Sequence, residues 1–322
     1  MTSTRPLILW GSACVAMWLA LCVAIGLIAI DGALHPGRAP LTPSEDQDAR
    51  SVAARNHAVL TDIAISADDG AILRAWSMRP FTGNGDGVIL LHGQADNRAS
   101  MLGNADMLLK HGYAVLLPDA RAHGESGGPI ATYGVIEASD VRRWYEWLHG
   151  SLSPRCVDGL GDSMGGAELL NSLAAEPGFC AVVAESPFAT FQEAAYDRLG
   201  QQFKTGPWLG RTLLRPAFWA GLAYGRLRYG VGLAQASPES VVAHSHVPVL
   251  LIHGLADTNL PPRHSEAMKA LNPSVSLWEP AHAEHCQAFT TDPAEYESRV
   301  VGWFASHDRA AVKSGIPPTT PK

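Results

Sequence analysis

The stretch GLGDSMGG, residues 159–166, places one serine among four glycines. Glycine weakens the interior of a strand or helix by roughly 0.5–1 kcal/mol relative to alanine. Four of them in one short run indicate a backbone that has no room for side chains. The residues before the serine, CVDGLGD (156–162), predict a strand, and MGGAELLNSLAAE (164–176) predicts a helix. The spacing G-x-S-x-G between them is typical of a nucleophile elbow, a strained turn that projects Ser163 above a sheet.

Around this elbow, short apolar runs alternate with segments of helical spacing. This alternation predicts an α/β fold, a mainly parallel sheet flanked by helices on both faces. A stretch rich in aromatic residues and leucine, at about 187–245, interrupts the alternation after the sixth strand and predicts an inserted helical cap. The predicted buried strands include GVILLHG (87–93), YAVLLPD (113–119), CAVVAE (180–185) and VPVLLIHG (247–254).

The N-terminal segment has a different composition. From Leu7 to Ile30 there are 24 residues without a charge. At 1.5 Å per residue such a helix is about 36 Å long, against about 30 Å for the hydrocarbon core of a bilayer. We therefore predict a transmembrane anchor at residues 1–30, with a cleaved signal peptide as the alternative. Arg5 and the amino terminus favour a single-pass protein whose catalytic domain lies outside the cytoplasm, in the periplasm or the extracellular space.

Composition also gives the remaining boundaries. Residues 31–56 carry several prolines and mixed charges, which is typical of a linker. A catalytic domain is predicted at 57–306, and the Pro- and Thr-containing tail at 307–322 is predicted to be disordered. The net charge of -7 and the lack of a Lys/Arg cluster argue against a nucleic-acid partner.

A serine hydroxyl is a poor nucleophile until a base removes its proton, and that base needs a third group to orient it. Two acids after Ser163 are candidates for the third group. Asp257 follows a predicted strand in a loop, whereas Glu185 closes a strand, and the loop position favours Asp257. For the base, AHAEH offers His282 and His285 between the last strand and the last helix, and their positions alone do not separate them.

A set of motifs resembles the α/β-hydrolase superfamily, in particular its acyl esterases, lysophospholipases and serine aminopeptidases. The resemblance covers roughly residues 57–305. It implies that Ser163 is the nucleophile, Asp257 the orienting acid and His285 the base. It also implies an oxyanion hole formed by the backbone N–H groups of Gln94 and Met164, and neither a metal nor an organic cofactor. The motifs are LLHGQADN (90–97), PDARAHGESGG (118–128), GDSMGG (161–166), ESPF (185–188), HGLADTNLPP (253–262) and AHAEHCQAF (281–289).

The resulting hypothesis is a membrane-anchored serine hydrolase that cleaves an ester, with a hydrophobic or lipid-like acyl ester as its small-molecule substrate. Two alternatives stay open. A serine aminopeptidase-like enzyme would need an acidic group in the cap, such as Glu193 or Asp197, to bind the ammonium group of its substrate. A non-catalytic anchored binding module would lack one member of the triad.

Two further residue patterns raise structural questions. Asp162 directly precedes Ser163, where the family commonly has bulkier or neutral residues, so we expect its side chain to point away or to be hydrogen-bonded elsewhere. The resemblance also makes the strands that begin at Cys156 and Cys180 parallel neighbours, about 4.8 Å apart. That spacing allows a disulfide in an oxidising compartment, and two buried free cysteines are the alternative.

Overall fold

The structure is a computed structural model that describes residues 5–308, with side chains from residue 10 onward. Apart from its first two residues, the tail predicted at 307–322 lies outside the described residues. Eight strands and twelve α-helices alternate along the described chain. The strands are β1 (Ala58–Ser66), β2 (Ile72–Pro80), β3 (Gly87–Leu91), β4 (Ala114–Pro118), β5 (Val157–Asp162), β6 (Val182–Glu185), β7 (Val249–Ile252) and β8 (Ser276–Trp278).

The helices range from one turn to eight turns in length. They are α1 (Arg5–Leu34), α2 (Pro43–Arg55), α3 (Leu102–Lys110), α4 (Glu137–Leu152), α5 (Met164–Ser172), α6 (Phe191–Phe203), α7 (Trp208–Arg211), α8 (Arg215–Tyr229), α9 (Pro238–Val242), α10 (Arg263–Leu271), α11 (Ala288–Thr291) and α12 (Pro293–Ser306).

The strands form one sheet in the order β1-β2-β4-β3-β5-β6-β7-β8. β2 pairs antiparallel with both β1 and β4, and every other neighbouring pair is parallel. This confirms the predicted fold of a mainly parallel sheet. In the centre of the sheet, Gly161 of β5 lies between Leu91 of β3 and Ala184 of β6, so the serine that follows is at the middle of the carboxyl edge.

Both faces of the sheet are covered, as the continuous apolar strands require. Along β3, Val88 and Leu90 point into one core, which α2, α3 and α12 complete. Ile89 and Leu91 point into the other core, which α4, α5 and α10 complete. The sheet therefore has a fixed position between two helical layers, and its carboxyl edge remains for a site.

Residues 31–56, predicted as a linker, contain the packed helix α2. Thr42 and Glu45 form a capping box, and Pro43 occupies the first turn, where its missing N–H costs nothing. Ala49 and Val52 are buried against the core beside β1. The difference arises because the prediction considered the prolines and charges but not the Thr-Pro-x-Glu start signal.

The cap follows β6, as predicted, and contains α6, α7, α8 and α9. Phe188, Phe191 and Phe218 are buried in one cluster with Met164, the residue after the elbow serine. The cap aromatics therefore pack down onto the site itself, whereas Trp208 and Trp219 remain about half exposed.

Helix α1 is long and apolar enough to cross a membrane, by length and composition. Its second half does not stand apart from the domain, because it packs on α8 of the cap. A Cβ atom on Gly26 would lie 2.1 Å from the carbonyl oxygen of Ala217, so the two helices touch through their backbones. Cys22, Ile30 and Leu34 are buried.

Cys156 and Cys180 form a disulfide at the amino ends of β5 and β6, with a Cα–Cα distance of 5.7 Å. The disulfide lies at the edge of the sheet opposite the elbow. Cys14, Cys22 and Cys286 are free.

The disulfide predicts a thiol count. The chain has five cysteines, so the full-length protein, denatured without reductant, should react with a thiol reagent at three positions. A count of five would contradict the disulfide. Reduction should also lower the free energy of unfolding by about 3 kcal/mol, because the bridge closes a loop of about 25 residues in the unfolded chain.

Candidate active site

Ser163 occupies the sharp turn between β5 and α5. Its φ of 52° and ψ of -112° are values that a non-glycine residue rarely adopts. The backbone N–H of Ser163 donates to the carbonyl oxygen of Glu185 at 2.8 Å, which holds the turn against β6. The strained backbone therefore persists because the flanking strand, helix and hydrogen bond fix it.

The glycines around Ser163 allow this turn to approach its neighbours. A Cβ atom on Gly165 would lie 2.4 Å from the carbonyl oxygen of Leu91, and one on Gly161 would lie 2.6 Å from the backbone of Gly165. Gly159 has a different role, because the side chain of Leu169 fills the space that its Cβ atom would take. A larger residue at Gly161 or Gly165 requires the strand or the helix to move.

The structure brings Ser163, His285 and Asp257 together. His285 Nε2 is 2.9 Å from Ser163 Oγ, and His285 Nδ1 is 2.7 Å from Asp257 Oδ2. Asp257 lies in the loop after β7 and His285 in the loop after β8, so the parallel strands deliver all three side chains to one edge. Because the carboxylate accepts from Nδ1–H, Nε2 is the nitrogen that accepts the serine hydroxyl.

Asp257 has an environment that keeps it ionised. Its Oδ1 accepts hydrogen bonds from the backbone N–H groups of Asn259 and Leu260 at 2.8 and 2.9 Å, and His253 Nε2 lies 3.4 Å from its Oδ2. Burial by itself would raise the pKa of Asp257, but the contacts with His253 and His285 and the backbone hydrogen bonds outweigh burial and hold the pKa well below its ordinary value.

The rival candidates lie elsewhere. Glu185 Oε1 accepts from the backbone N–H of Ala288 at 2.8 Å, so its carboxyl group faces the start of α11. Burial raises the pKa of Glu185 to about 7. His282 is exposed on the loop that carries His285.

The expectation that the side chain of Asp162 is hydrogen-bonded elsewhere is not met at its Oδ1 atom. Its Oδ1 atom is buried and has no hydrogen-bond partner among the described residues. Burial, and then the nearby carboxyl groups of Glu185 and Asp96, raise the pKa of Asp162 well above its ordinary value. The raised pKa of Asp162 disfavours a negative charge next to the nucleophile, and this is compatible with an anion that develops at Ser163.

The backbone N–H groups of Gln94 and Met164 donate to no other group within residues 5–308. Both residues line the same cavity as Ser163. The side-chain Nε2 of Gln94 donates to the hydroxyl of Tyr133 at 2.9 Å, which fixes the loop after β3. The two free N–H groups are therefore available to an oxygen atom bound beside Ser163.

A cavity of about 390 Å³ opens beside Ser163. The cap contributes Phe188, Phe191 and Phe218 to its lining, and among the described lining residues Arg198 alone carries a charge. An apolar cavity of this size suits an apolar chain better than a polar ligand. A further part of the wall is one face of α1, formed by Ile25, Gly26, Ala29, Ile30, Gly32 and Ala33.

Sequence reasoning did not find this wall or the role of Tyr133. The signal in α1 was the repetition of small residues at Gly26, Ala29 and Ala33, because small residues at helical spacing allow another helix to approach closely. No comparable signal marks Tyr133, whose partners come from distant parts of the chain.

One group of potential metal ligands exists in the described part of the chain, formed by Asp86, Cys156 and Asp308. Cys156 is in the disulfide, so its sulfur is not available as a thiolate ligand. The group also lies at the opposite edge of the sheet from Ser163. It therefore does not contribute to the site.

Comparison with known proteins places this site in a family context. The sequence matches the Alpha/beta hydrolase family over residues 88–299. It is 28% identical to the uncharacterized protein YqkD of Bacillus subtilis (strain 168), covering 66% of this chain and 69% of that protein. It is also 28% identical to the uncharacterized protein Rv2307c of Mycobacterium tuberculosis, over 65% of this chain and 66% of that protein.

The structure also resembles solved structures. One crystal form of the Pyrococcus furiosus esterase Pf2001 superposes with a TM-score of 0.65 and 25% sequence identity, covering 86% of this chain and 98% of the esterase. The esterase EaEST from Exiguobacterium antarcticum has the same fold, with a TM-score of 0.56 and 20% identity over 76% of this chain and 99% of that chain.

The raised pKa of Glu185 predicts a pH dependence of stability. Between pH 4.5 and about 7 the folded protein keeps a proton that the unfolded chain has lost, so this group makes the free energy of unfolding fall as the pH rises through that range. Glu185→Gln keeps the neutral shape and should remove a fall of about 3 kcal/mol. Urea unfolding at a series of pH values from 4.5 to 8 measures the free energy of unfolding of each protein. Glu284→Gln, an exposed control, should keep the wild-type dependence of the free energy of unfolding on pH. The same dependence in Glu185→Gln as in the wild type would refute the raised pKa of Glu185.

Proposed function

The chain belongs to the Alpha/beta hydrolase family, and from this membership and the geometry at Ser163 we propose that it is a serine hydrolase that cleaves an ester. One observation carries the proposal. His285 bridges Ser163 Oγ and the ionised carboxylate of Asp257 through its two ring nitrogens, at 2.9 and 2.7 Å. This is the arrangement in which a base can take the serine proton and a third group can stabilise the resulting imidazolium.

The proposed reaction has two stages. In the first, His285 Nε2 takes the proton of Ser163, and Oγ attacks the carbonyl carbon of the ester. The tetrahedral oxyanion accepts hydrogen bonds from the N–H groups of Gln94 and Met164, each worth about 2.7–4 kcal/mol of transition-state stabilisation. His285 then gives the proton to the leaving alkoxide, which departs and leaves an acyl-enzyme.

In the second stage, water attacks the acyl-enzyme. His285 takes a proton from the water, the oxyanion forms in the same place, and collapse of the intermediate returns the proton to Ser163 and releases the acid. General-base catalysis of this kind contributes about 10²–10⁴-fold to the rate. Asp257 keeps its charge throughout, because its pKa is held below the ordinary range.

The substrate that we propose is an ester with a hydrophobic acyl group. The apolar lining of the cavity beside Ser163 supports this choice, and so does the similarity to the Pyrococcus furiosus esterase. We further propose that α1 anchors the protein in a membrane as a single-pass helix, with the catalytic domain outside the cytoplasm. The Cys156–Cys180 disulfide supports that location, because disulfides persist in oxidising compartments.

The peptidase alternative has less support. Both oxygens of Asp197 accept from Arg263, and His264 Nε2 lies 2.8 Å from Oδ2 of the same carboxylate. Glu193 accepts from Arg211 and Arg263. Neither acid is free for the ammonium group of a peptide, and the charge that lines the cavity is the cation of Arg198. The binding-module alternative would require a missing triad member, and all three side chains are in contact.

Ser163→Ala tests the nucleophile. Labelling by a fluorophosphonate probe and hydrolysis of p-nitrophenyl esters should both disappear, because no other group at the site is activated by His285. The thermal unfolding midpoint should stay close to that of the wild type, since the change removes one oxygen atom. Labelling that continues in the variant would assign the reactive nucleophile to another residue.

Paired variants test the acid and the base. Asp257→Asn should lower kcat by about 10⁴-fold, because an amide neither fixes the right tautomer of the imidazole nor stabilises its charge. Glu185→Gln, the rival acid, should retain most of the activity. His285→Ala should inactivate the enzyme and His282→Ala should not. A larger loss of activity in the Glu185 variant than in the Asp257 variant would show that Glu185, at the end of β6, is the orienting acid.

A further inference from the structure

Helix α1 contributes one continuous face to the cavity beside Ser163. Ile25, Ala29 and Ala33 follow one another at intervals of four residues, and Gly26 and Ile30 lie beside them. From Ile25 to Ala33 this face is about 12 Å long. The buried cap aromatics Phe188, Phe191 and Phe218 also line this cavity. The helix that carries the membrane-spanning composition is thus also part of the substrate cavity.

Contacts along its length fix α1 against the cap. The sulfur of Cys22 lies 3.7 Å from the carbonyl oxygen of Leu213. Further along, a Cβ atom on Gly221 would lie 2.7 Å from the carbonyl oxygen of Gly26, so α1 and α8 approach at backbone distance. At the end of the pair, the hydroxyl of Tyr229 donates to the carboxylate of Asp31. The wall therefore has a defined position.

The end of α1 is also connected to the catalytic edge. The hydroxyl of Tyr133 donates to the carbonyl oxygen of Ala33 at 2.7 Å and accepts from the Nε2 of Gln94 at 2.9 Å. The carbonyl oxygen of Leu34 accepts from the N–H of Ala131 at 2.9 Å. The position of α1 is thus coupled to the loop that presents one of the two N–H groups to the oxyanion.

The part of α1 that precedes this wall is long enough to reach through most of the hydrocarbon core of a bilayer. The eighteen residues from Leu7 to Ala24 form a helix about 27 Å long, close to the hydrocarbon thickness of about 30 Å. The cavity wall begins at Ile25, within the last turns of the uncharged run that continues to Ile30.

The neighbouring part of the cap has the composition of a membrane interface. Exposed apolar side chains lie on residues 203–219, the segment that contacts Cys22, and exposed cations accompany them. Aromatic residues and cations of this kind favour the headgroup region. The exposed apolar residues are Phe203, Trp208, Leu213 and Trp219, and the cations are Lys204, Arg211 and Arg215.

We propose that α1 is a specificity-determining wall of the acyl pocket as well as an anchor. The substrate is the ester of a long-chain fatty acid that resides in the membrane, and its chain enters between α1 and the cap from the bilayer surface. The inference rests on the proposed function, since it needs Ser163 to attack the ester. Ala29 is the sharpest determinant, because it faces the cavity with only a methyl group.

The test compares Ala29→Trp with Ala24→Trp in the full-length protein. Ala24 is the matched control, an exposed alanine on the same helix and outside the cavity lining. The assay measures kcat/KM for p-nitrophenyl acetate, octanoate, laurate and palmitate, and the rate of fluorophosphonate labelling. Ala29→Leu, a smaller change, gives a second variant that fits the helix with less disturbance.

In Ala29→Trp, kcat/KM for laurate and palmitate should fall at least about tenfold, the effect of losing room for two methylene groups. Acetate hydrolysis and labelling should fall much less than laurate hydrolysis, and Ala29→Leu should be intermediate. Ala24→Trp should match the wild type on every ester. An unchanged dependence of kcat/KM on chain length in both Ala29 variants, or the same loss in Ala24→Trp, would refute the role of α1 as a wall of the acyl pocket. A wild-type protein that neither labels nor hydrolyses any ester would instead refute the proposed function.

A second measurement tests entry from the bilayer. The full-length protein is reconstituted into vesicles that contain a palmitate ester, or is mixed with separate vesicles that contain it. Hydrolysis should be at least about tenfold faster when enzyme and ester share a vesicle, because transfer of the long chain through water is unfavourable. Equal rates would show that the ester arrives through water and would overturn entry from the membrane.

Discussion

The close crossing of β5, Ser163 and α5 over β3 is the constraint on which the rest of the structure depends. Gly165 approaches the backbone of Leu91 so closely that no side chain fits between them. This crossing lifts Ser163 above the carboxyl edge, and the parallel strands β7 and β8 bring their own loops to the same edge. The contact between Ser163, His285 and Asp257 is therefore a consequence of strand direction and one tight turn.

The buried acids around this turn have pKa values that are shifted in opposite directions. Asp162 and Glu185 lie in apolar surroundings beneath the elbow, and burial raises the pKa of each. Asp257 is buried too, but two backbone N–H groups and two histidines compensate its charge. The lowered pKa thus belongs to the carboxylate behind His285, and the raised pKa values of the other two acids disfavour negative charge beneath the proposed oxyanion. Environment, more than residue type, assigns these roles.

Much of the fold and the order of the candidate triad could be predicted, because apolar strands, the glycine spacing and the loops after the last strands are local signals. The cap insertion was also visible, as a break in the alternation. Helix α2 was missed because composition outweighed its capping box. The raised pKa of Asp162 and the pocket face of α1 could not be predicted from local sequence. The first depends on burial and on the carboxyl groups of Glu185 and Asp96, and the second on which side of α1 meets the cap.

The packing of α1 also bears on whether it is a retained anchor or a cleaved signal. A signal peptide leaves the mature domain intact when it is removed, so it should bury little of that domain. Here Cys22, Ile30 and Leu34 are buried, and Gly221 of the cap fits against the backbone of Gly26. Loss of α1 would expose the cap face of α8 and remove the acceptor of the Tyr133 hydroxyl. These contacts favour a helix that stays with the protein and completes its site.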